Sequence, residues 1–571
     1  MKNWKIAGYA GSGIAATGAL YAKLAMRQGM HVFSYGEYPS LIRGGHNTMV
    51  VTTASVPVTT HQKRLDLLVA LNADGLKLHL DELDANSLVL IDQTQVKLDY
   101  DALQLSCKII DLPMYQISLE LTGSGLSANM VALGASCYLM GMDLAVLQTL
   151  IQDSFSKKGD AVVKHNQLAA AKGFTHTASL HLIHKHPLVA HQSQQIYVSG
   201  NEAIGLGALA GGIQFYSAYP MTPASSLLEF LADQQAQYPL LVKHAEDEIG
   251  AINQAIGASY AGARAMVGTS GGGFALMVEA LSLAGIAEIP LVVMLGSRPG
   301  PATGLPTWTA QGDLQFALHA GHGEFPKIVL APGDMQECFL MTKLAFVLAE
   351  QWHTQVYLLT DKYLLESSMS IDVPFMQSIN KRYNIITKLS KDDSYKRYAL
   401  TPSGYSPRSL PGTPHGLSLT NSYEHDEYGF ATEDSALAKA QLDKRLRKLD
   451  DLKSHLPPHT LYGPQTAAIT FVSWGSTKLV LSHAINLLNA QNPNTANFIQ
   501  LGCLMPFDAD SFLQLAATSK RLVMVEGNAL GQAESLIAEH CQVKFTEHIR
   551  KYDGRPFYAE AIVEYVNGGS Q

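Results

Sequence analysis

The sequence repeats one local pattern, in which a short apolar strand leads through a glycine- or proline-rich turn into a helix. The pattern occurs at residues 4–28, from residue 213 to about 370, and again from Ala467. Strands that alternate with helices predict parallel sheets with both faces covered. A chain of 571 residues also exceeds the ~250–300 residues over which a single core grows. We therefore expect an α/β protein of three domains.

Breaks in this alternation give the domain boundaries. The first domain spans residues 1–190 and ends in a histidine-rich stretch, Phe174–Ser193, which we interpret as a linker. The second spans 191–385. Residues 386–460 are predicted to form an extended excursion with little packing of its own, then a charged helix that is a solvated face or a packing arm. The third domain spans 461–571.

Composition limits the classes of ligand and location. The formal net charge is −8, which argues against the basic patch of a nucleic-acid-binding protein. No apolar run reaches the ~20 residues of a membrane span, and the N-terminus has no signal-peptide pattern. The 47% share of hydrophobic residues favours oligomerisation. We predict a cytoplasmic protein that binds neither nucleic acid nor membrane, and whose scattered cysteines hold no metal.

The segment Tyr219–Ser226 joins a strand to an apolar-periodic helix. Thr222 is predicted to cap this helix and Pro223 to occupy its first position. A helix N-terminus at the end of a strand directs free N–H groups into a crevice, which suits a carboxylate ligand. A purely structural cap is the alternative, because caps are far commoner than ligand sites.

Glu248 begins a nearly uncharged helix rich in Ala, Ile and Gly. A carboxyl packed there would be desolvated, a condition that suits an acid or base working near neutrality. The alternative is an ordinary helix-start acid, a role that Glu246 or Asp247 could fill equally well.

Two further segments end strands of the second domain. Gly268–Gly273 is predicted to be a loop whose backbone donors hold an anion or a cofactor edge, or only a tight turn. Residues 296–313 are too rich in Pro and Gly for regular structure. Within them, Arg298 is placed at a strand's carboxyl end, where open α/β sheets bind ligands, and its guanidinium matches a carboxylate. A surface loop arginine is the alternative.

The first domain carries a dinucleotide-type fingerprint. Gly11–Ala16 fits G-x-G-x-x-A between a strand and a helix, and Glu37 ends the next strand. The phosphates this predicts belong to NAD or to coenzyme A. The segment Arg43–Asn47 follows and would bring a positive charge and free backbone to the same ligand.

Taken together and in this order, these segments resemble the 2-oxoacid:ferredoxin oxidoreductase family, specifically its alpha chain with a gamma domain fused at the N-terminus. Tyr219–Ser226 matches the family's Y-P-I-T-P-S-S motif, with Met221 for Ile and Ala224 for the first Ser. Thr269–Gly273 matches T-S-G-P-G, with Gly272 for Pro. The resemblance implies a gamma-type domain, a pyrimidine-binding (PYR-type) domain and a transketolase C-terminal-like domain. A similar stretch at Tyr423–Gly429 has no role that we can derive.

The resemblance also implies residue roles. Thr222, Arg298 and Glu248 would be catalytic, with Glu248 activating thiamine diphosphate through its aminopyrimidine ring. The other implied ligand contacts are Tyr219 and Thr307, with Thr222 and Arg298, for the 2-oxoacid; Thr269, Ser270 and Gly271 for thiamine diphosphate; and Gly11, Gly13, Arg43, Gly44 and Gly45 for coenzyme A.

The activity implied is reversible oxidative decarboxylation of 2-oxoglutarate to succinyl-CoA and CO2, with ferredoxin as electron acceptor. In reverse it fixes CO2, as in a reductive TCA cycle. The family's G-D-G motif and cluster-binding cysteines do not occur in this sequence. The Mg²⁺ and [4Fe–4S] cluster are therefore expected on a beta subunit, in an (αβ)2 assembly. Pyruvate or a branched-chain 2-oxoacid is the alternative substrate; an NAD-dependent dehydrogenase at Gly11–Gly13 and a non-catalytic scaffold are the alternative functions.

Overall fold

The computed structural model describes residues 1–41, 45–181, 195–373, 379, 381–391 and 393–568. Two compact units share the chain. One consists of Met1–Val198, Ser367–Val373 and Tyr558–Gln571, and the other of the rest. Arg43 and Gly44, predicted to contact coenzyme A, lie outside the described residues. Among the residues described, no helix combines the length and hydropathy that crossing a bilayer requires.

The first unit is built on an eight-stranded sheet, in the order β6-β5-β4-β1-β3-β2-β14-β7, in which β7 is Gln195–Ser199 and β14 is Ser368–Asp372. The elements before residue 181 are β1 Lys2–Tyr9, α1 Ile14–Arg27, β2 His31–Glu37, β3 His46–Ala54, β4 Leu67–Ala70, α2 Ala73–Lys77, β5 Leu88–Ile91, β6 Lys108–Asp111, α3 Met114–Thr122, α4 Ala128–Leu139, α5 Leu144–Phe155 and α6 Asp160–Ala178. Its apolar core joins the inner faces of α1, α4 and α5 to the sheet.

Two predictions for this unit are wrong in detail. The sheet is mixed rather than parallel, because β3 returns antiparallel to β2 and inserts between β2 and β1. The predicted linker Phe174–Ser193 begins inside α6, which runs to Ala178. Gly173 of α6 allows this helix to pack closely: a Cβ there would lie 2.0 Å from the Val131 carbonyl oxygen of α4. The remainder, residues 182–194, lies outside the described part of the chain.

The second unit contains the seven-stranded sheet that carries most of the predicted site. Its strand order is β20-β12-β13-β11-β10-β8-β9, and only β20 is antiparallel to its neighbour in the ladders described. The elements from residue 195 to 372 are β7 Gln195–Ser199, α7 Gly200–Ala210, β8 Phe215–Ala218, α8 Ser225–Gln234, β9 Leu241–His244, α9 Glu248–Tyr260, β10 Ala265–Ser270, α10 Gly271–Ile286, β11 Leu291–Ser297, α11 Leu314–His319, β12 Lys327–Leu330, α12 Met335–Trp352, β13 Gln355–Asp361, α13 Lys362–Glu366 and β14 Ser368–Asp372.

A five-stranded sheet, β17-β19-β18-β21-β22, completes the second unit. The remaining elements are β15 Ile385–Ile386, β16 Arg408–Ser409, α14 Ser435–Leu452, β17 Thr460–Tyr462, β18 Ile469–Trp474, α15 Thr477–Gln491, β19 Ala496–Leu501, β20 Cys503–Met505, α16 Ala509–Ala516, β21 Leu522–Glu526, α17 Gln532–Cys541, β22 Glu547–Arg550 and α18 Ala559–Val566, of which α18 belongs to the first unit. One apolar core runs from Phe274 in the larger sheet layer to Trp474 in the smaller.

The excursion and its charged helix pack more closely than the sequence predicts. Tyr398 and His425 are fully buried and their rings lie 3.9 Å apart between centroids. Helix α14 is a packing arm, since Lys444, Arg445 and Lys448 on one of its faces are buried. Composition could not show this, because the buried face of α14 is polar and makes ion pairs, among them those of Lys444 and Lys448 with Glu288.

The α/β class expected from the sequence is confirmed: the described residues form three large sheets and one two-stranded sheet, β15-β16. The domain boundaries remain a prediction. Most of the second and third predicted domains lies in one compact unit, but Ser367–Val373 and Tyr558–Gln571 belong to the other.

Candidate functional site

The predicted site residues of the second unit follow strands whose carboxyl ends coincide. Parallel pairing aligns Ala218 with His244, Ser270 with Gly296, and Ser297 with Asp361. The segments after β8, β9, β10, β11 and β13 therefore leave the sheet at the same edge, where open α/β sheets bind ligands. The sequence motifs lie on four of these five segments.

The turn after β8 differs from the predicted helix cap. Helix α8 begins at Ser225, the Thr222–Pro223 peptide bond is cis, and the amide of Ala224 donates to the carbonyl oxygen of Met221 at 2.8 Å. Thr222 is therefore not an N-cap and Pro223 is not the first helical residue. Both residues instead lie in a closed turn before the helix. Asn201 Nδ2 supports this turn by donating to the Pro223 carbonyl oxygen at 2.9 Å.

Arg298 joins this turn to the loop after β11. Its Nη1 donates to the carbonyl oxygen of Thr222 at 2.7 Å. Burial lowers the pKa of Arg298, and the nearby carboxyl of Asp313 partly offsets that effect. Arg298 stands directly after the last residue of β11, as predicted. A guanidinium held against backbone in this way is oriented before any ligand arrives.

Glu248 is buried while the acids beside it are exposed. Asp247 is the N-cap of α9, and its carboxylate accepts from the Gly250 amide at 2.6 Å. The cap is thus supplied without Glu248, which is only 3% exposed. Its Oε1 has no hydrogen-bond partner among the described residues. Burying a carboxylate oxygen unpaired is costly, so this atom marks a place where a donor from outside the chain fits.

The predicted loop at Gly268–Gly273 is not a loop. Strand β10 continues to Ser270 and α10 begins at Gly271. Strand β10 continues through Thr269 and Ser270 because these residues pair with Leu295 and Gly296 of β11. The glycines instead leave room for neighbouring side chains to pack against the start of α10. A Cβ at Gly273 would lie 2.5 Å from Glu248 Oε1, so only glycine leaves that oxygen room.

Other polar groups at this edge are buried without partners. The hydroxyls of Ser270 and Thr307 have none among the described residues, although Thr307 is 5% exposed. Asp313, which sequence reasoning did not single out, belongs with them: a Cβ at Gly271 would lie 2.8 Å from its Oδ2. Burial raises the pKa of Asp313. Asn201 was also missed, because it lies on α7, before the motif whose turn it supports.

The first unit has its own pocket, of about 370 Å3, at the start of α1. Gly11 and Gly13 line it, and both have positive φ angles, 91° and 74°. Gly13 is the helix N-cap, and a Cβ there would lie 2.4 Å from Asn129 Nδ2. Gly45 does not line this pocket; it packs against Pro39 instead. The remaining lining includes Asp92, Gln95, Met114, Tyr115 and Leu126.

Two segments of the chain match known family models. Residues 206–443 match the family described as "Pyruvate flavodoxin/ferredoxin oxidoreductase, thiamine diP-bdg". Residues 3–176 match "Pyruvate ferredoxin/flavodoxin oxidoreductase". The first match includes Glu248, Arg298 and the turn at Thr222.

Individual relatives extend over nearly the whole chain. The 2-oxoacid:ferredoxin oxidoreductase subunit alpha of a Sulfolobus species is 30% identical, covering 100% of this chain and 98% of the relative. The 2-oxoglutarate synthase subunit KorA of Archaeoglobus fulgidus is 31% identical over 65% of this chain and 98% of its own length.

A solved structure gives the same assignment. The 2-oxoglutarate:ferredoxin oxidoreductase from Magnetococcus marinus, with 2-oxoglutarate, coenzyme A and succinyl-CoA bound, is 31% identical with a TM-score of 0.91, and the match covers 99% of both chains. The resemblance seen in the motifs is thereby confirmed, as is the assignment to an oxidoreductase. This chain belongs to the 2-oxoacid:ferredoxin oxidoreductase family as an alpha subunit.

Proposed function

We propose that this chain is the alpha subunit of an enzyme that converts 2-oxoglutarate and coenzyme A to succinyl-CoA and CO2, passing two electrons to ferredoxin. The observation that carries the proposal is the buried Oε1 of Glu248, which has no hydrogen-bond partner in the described part of the chain and lies at the sheet edge that also bears Arg298. The substrate is supported by relatives named 2-oxoglutarate synthase and by the 2-oxoglutarate bound in the Magnetococcus marinus enzyme.

The residues near Glu248 fit the aminopyrimidine side of thiamine diphosphate. When bound, that cofactor supplies a nucleophilic carbon and an electron sink for the loss of CO2. Glu248 would hold this ring by accepting a hydrogen bond at its buried carboxyl, and as an acid–base group it would support proton transfer there. Thr269, Ser270 and Gly271 lie at the end of β10 and the start of α10. The Ser270 hydroxyl, which no described residue hydrogen-bonds, is available to the same ring.

Arg298 and the turn at Thr222 hold the substrate's carboxylate. The contact between Arg298 and the Thr222 carbonyl orients the guanidinium, and a guanidinium binds a carboxylate through two parallel N–H donors. Tyr219 is 40% exposed beside His244, with 6.3 Å between the ring centroids. The buried Thr307 hydroxyl supplies one more polar contact.

Coenzyme A is assigned to the pocket of the first unit. Gly11 and Gly13 offer backbone at the N-terminus of α1, where a phosphate is stabilised, and the lining side chains of Tyr115 and Leu126 suit an apolar or aromatic portion of the ligand. Arg43 and Gly44 complete the proposed set on the sequence motif alone, whereas Gly45 is outside the lining of this pocket and is not assigned to it.

A beta subunit completes the enzyme. It would carry the diphosphate site with Mg²⁺ and the [4Fe–4S] cluster, since the sequence of this chain has neither a G-D-G motif nor clustered cysteines. We place the (αβ)2 complex in the cytoplasm, with ferredoxin as its redox partner. A broader 2-oxoacid specificity is the second candidate, because the relatives from Sulfolobus and Saccharolobus solfataricus are named 2-oxoacid oxidoreductases without a single substrate.

The experiment is substrate-dependent reduction of a viologen dye by the co-purified alpha and beta subunits, with and without coenzyme A. We expect kcat/KM at least tenfold higher for 2-oxoglutarate than for pyruvate or a branched-chain 2-oxoacid. Equal values would favour the broad specificity. Dye reduction that requires NADH instead of a 2-oxoacid would overturn the proposal in favour of an NAD-dependent dehydrogenase, and no redox activity at all would favour a scaffold.

A further inference from the structure

A group of buried cations lies at the opposite edge of the seven-stranded sheet from Glu248. Its centre is Glu288, which lies between α10 and β11 and is 1% exposed. The Glu288 carboxylate lies 2.6 Å from the Nζ of Lys444 and 2.6 Å from that of Lys448. Both lysines are on α14 and are fully buried. We call Glu288 and the cations around it the Glu288 cluster.

A third cation contacts the same residue. Arg397 donates from Nη2 to the Glu288 carbonyl oxygen at 2.9 Å. Lys448 also donates to the carbonyl oxygen of His353 at 3.0 Å. With all three cations protonated, the cluster carries three positive charges against one negative charge, a net of +2. The centroid of the Tyr398 ring lies 4.7 Å from Arg397 Cζ and 5.7 Å from Lys444 Nζ. These cation–π contacts offset only part of the cost of the excess positive charge, because each contributes ~0.5–2 kcal/mol.

Arg408 and His353 lie next to Arg397 and Lys448 and are included in the Glu288 cluster. Several nitrogen atoms of the cluster have no hydrogen-bond partner in the part of the chain that is described. Arg397 Nη1, Arg408 Nε and both ring nitrogens of His353 have no hydrogen-bond partner among the described residues. These residues are 5%, 4% and 1% exposed. Burial, then the charges of Arg397, Arg408 and Lys448, hold the pKa of His353 well below its ordinary value. The imidazole is therefore neutral and keeps one N–H donor.

We propose that the Glu288 cluster encloses a small inorganic anion, with chloride as the ion tested. Arg408, which lies near Arg397 and His353, adds a fourth positive charge and brings the net to +3. An anion there would reduce this net charge to +2 and accept hydrogen bonds from Arg397, Arg408 and His353. Unpaired buried donors and uncompensated buried charge are both strongly unfavourable, and a single bound anion relieves both. A halide fits this arrangement better than a carboxylate or phosphate does, since every contributing side chain is almost completely buried.

The position of this site gives it a structural role. His353 precedes β13, Glu288 precedes β11, and Arg397, Arg408 and α14 belong to the excursion. The anion would hold the excursion against the amino ends of two central strands. It lies away from the carboxyl ends where Glu248 and Arg298 are found, so it does not depend on the proposed function. We expect KM for the 2-oxoacid to be independent of chloride.

The first test is made on the complex of this chain with its partner subunit. The complex is dialysed into gluconate, and thermal unfolding is followed as chloride or bromide replaces gluconate at constant ionic strength. We expect Tm to rise by about 2–4 °C at saturation. Crystals grown in bromide should show an anomalous peak within 3.5 Å of Arg397 Nη1 or Arg408 Nε. Equal Tm values and no such peak would overturn the proposal and leave a deprotonated lysine as the source of balance.

A matched pair of variants tests the charge argument. Lys448→Met removes one buried cation and should abolish the chloride-dependent rise in Tm. Lys439→Met changes an exposed lysine, 76% accessible, on the same helix and should retain the whole rise. A rise retained by both variants would contradict the site. If Lys448→Met fails to fold, the presence or absence of the bromide peak in crystals of the unaltered protein still tests whether the site binds an anion.

Discussion

Arg298 Nη1 and the carbonyl oxygen of Thr222 lie 2.7 Å apart, across 76 residues of sequence. This hydrogen bond makes one surface from two motifs that the chain places on separate strands. It also fixes which way the guanidinium faces, because one of its N–H groups is already committed to the turn before α8.

Arg298→Lys should weaken substrate binding more than it slows turnover. Lysine keeps the positive charge but has no planar fork, so it cannot hold both the Thr222 carbonyl and a carboxylate in one geometry. We expect KM for the 2-oxoacid to rise about tenfold or more, equivalent to ~1.4 kcal/mol or more, with kcat changed less. Steady-state kinetics on the complex measure this. Arg521→Lys, at the partly exposed ion pair with Glu547, is the control, and an unaltered KM in Arg298→Lys would contradict the role.

Gly273→Ala should impair thiamine diphosphate binding. Its methyl group would lie 2.1 Å from Thr269 Oγ1 and 2.5 Å from Glu248 Oε1, displacing the carboxylate. We expect at least a tenfold loss of cofactor affinity by calorimetry. Gly272→Ala is the matched control, one residue earlier in α10, where an added Cβ meets nothing within 4 Å. Similar affinities for the two variants would show that the space beside Glu248 is not needed.

The sequence predicted which segments form the site more accurately than it predicted the backbone conformation of each segment. Glu248 at a helix start and Arg298 at a strand end follow from the alternation of apolar strands and helices, since parallel strands end together. The conformation around Thr222 did not follow, because Pro after Thr is compatible with both a cap and a turn. The contact of Gly273 with Glu248 is long-range, and glycine in a sequence does not say whether it provides flexibility or space.

Asp313 and Asn201 illustrate what local pattern cannot supply. Asp313 becomes a site residue only because α10 begins beside it, with Gly271 making room. Asn201 supports the turn from a helix that precedes the motif. The Glu288 cluster was hidden for a similar reason: the charged residues of α14 have the composition of a solvated face, and only tertiary packing buries Lys444 and Lys448.

Gly134→Ala should destabilise the first unit. Helices α4 and α6 approach so closely that a Cβ at Gly134 would lie 1.9 Å from the carbonyl oxygen of Ala170. Overpacking of this kind costs about 1–3 kcal/mol. Urea unfolding measures the change. Gly257→Ala, at an exposed helical glycine with free space, should be neutral or stabilising by up to ~1 kcal/mol. Equal stability of the two variants would contradict close helix packing.

Gly13→Ala should raise KM for coenzyme A. Position 13 has φ +74°, and the new methyl group would lie 2.4 Å from Asn129 Nδ2 in the pocket. We expect at least a fivefold rise in KM for coenzyme A with little change in KM for the 2-oxoacid. Gly159→Ala is the control. Position 159 also has a positive φ, +96°, so the substitution carries a similar backbone cost, but no described atom lies within 4 Å of the added Cβ. Unchanged KM for coenzyme A in Gly13→Ala would place the ligand elsewhere.

The most direct measurement compares kcat of Glu248→Gln with that of Glu246→Gln in the complex with the beta subunit. Glutamine preserves the size of Glu248 but removes the charge that a proton-shifting group needs. General acid–base groups contribute typically 10²–10⁴-fold, so we predict kcat at least 100-fold below the unaltered enzyme for Glu248→Gln. The exposed Glu246 should be replaceable with less than a twofold change. Glu248→Gln with unaltered kcat would contradict the assignment of this sheet edge as the catalytic site.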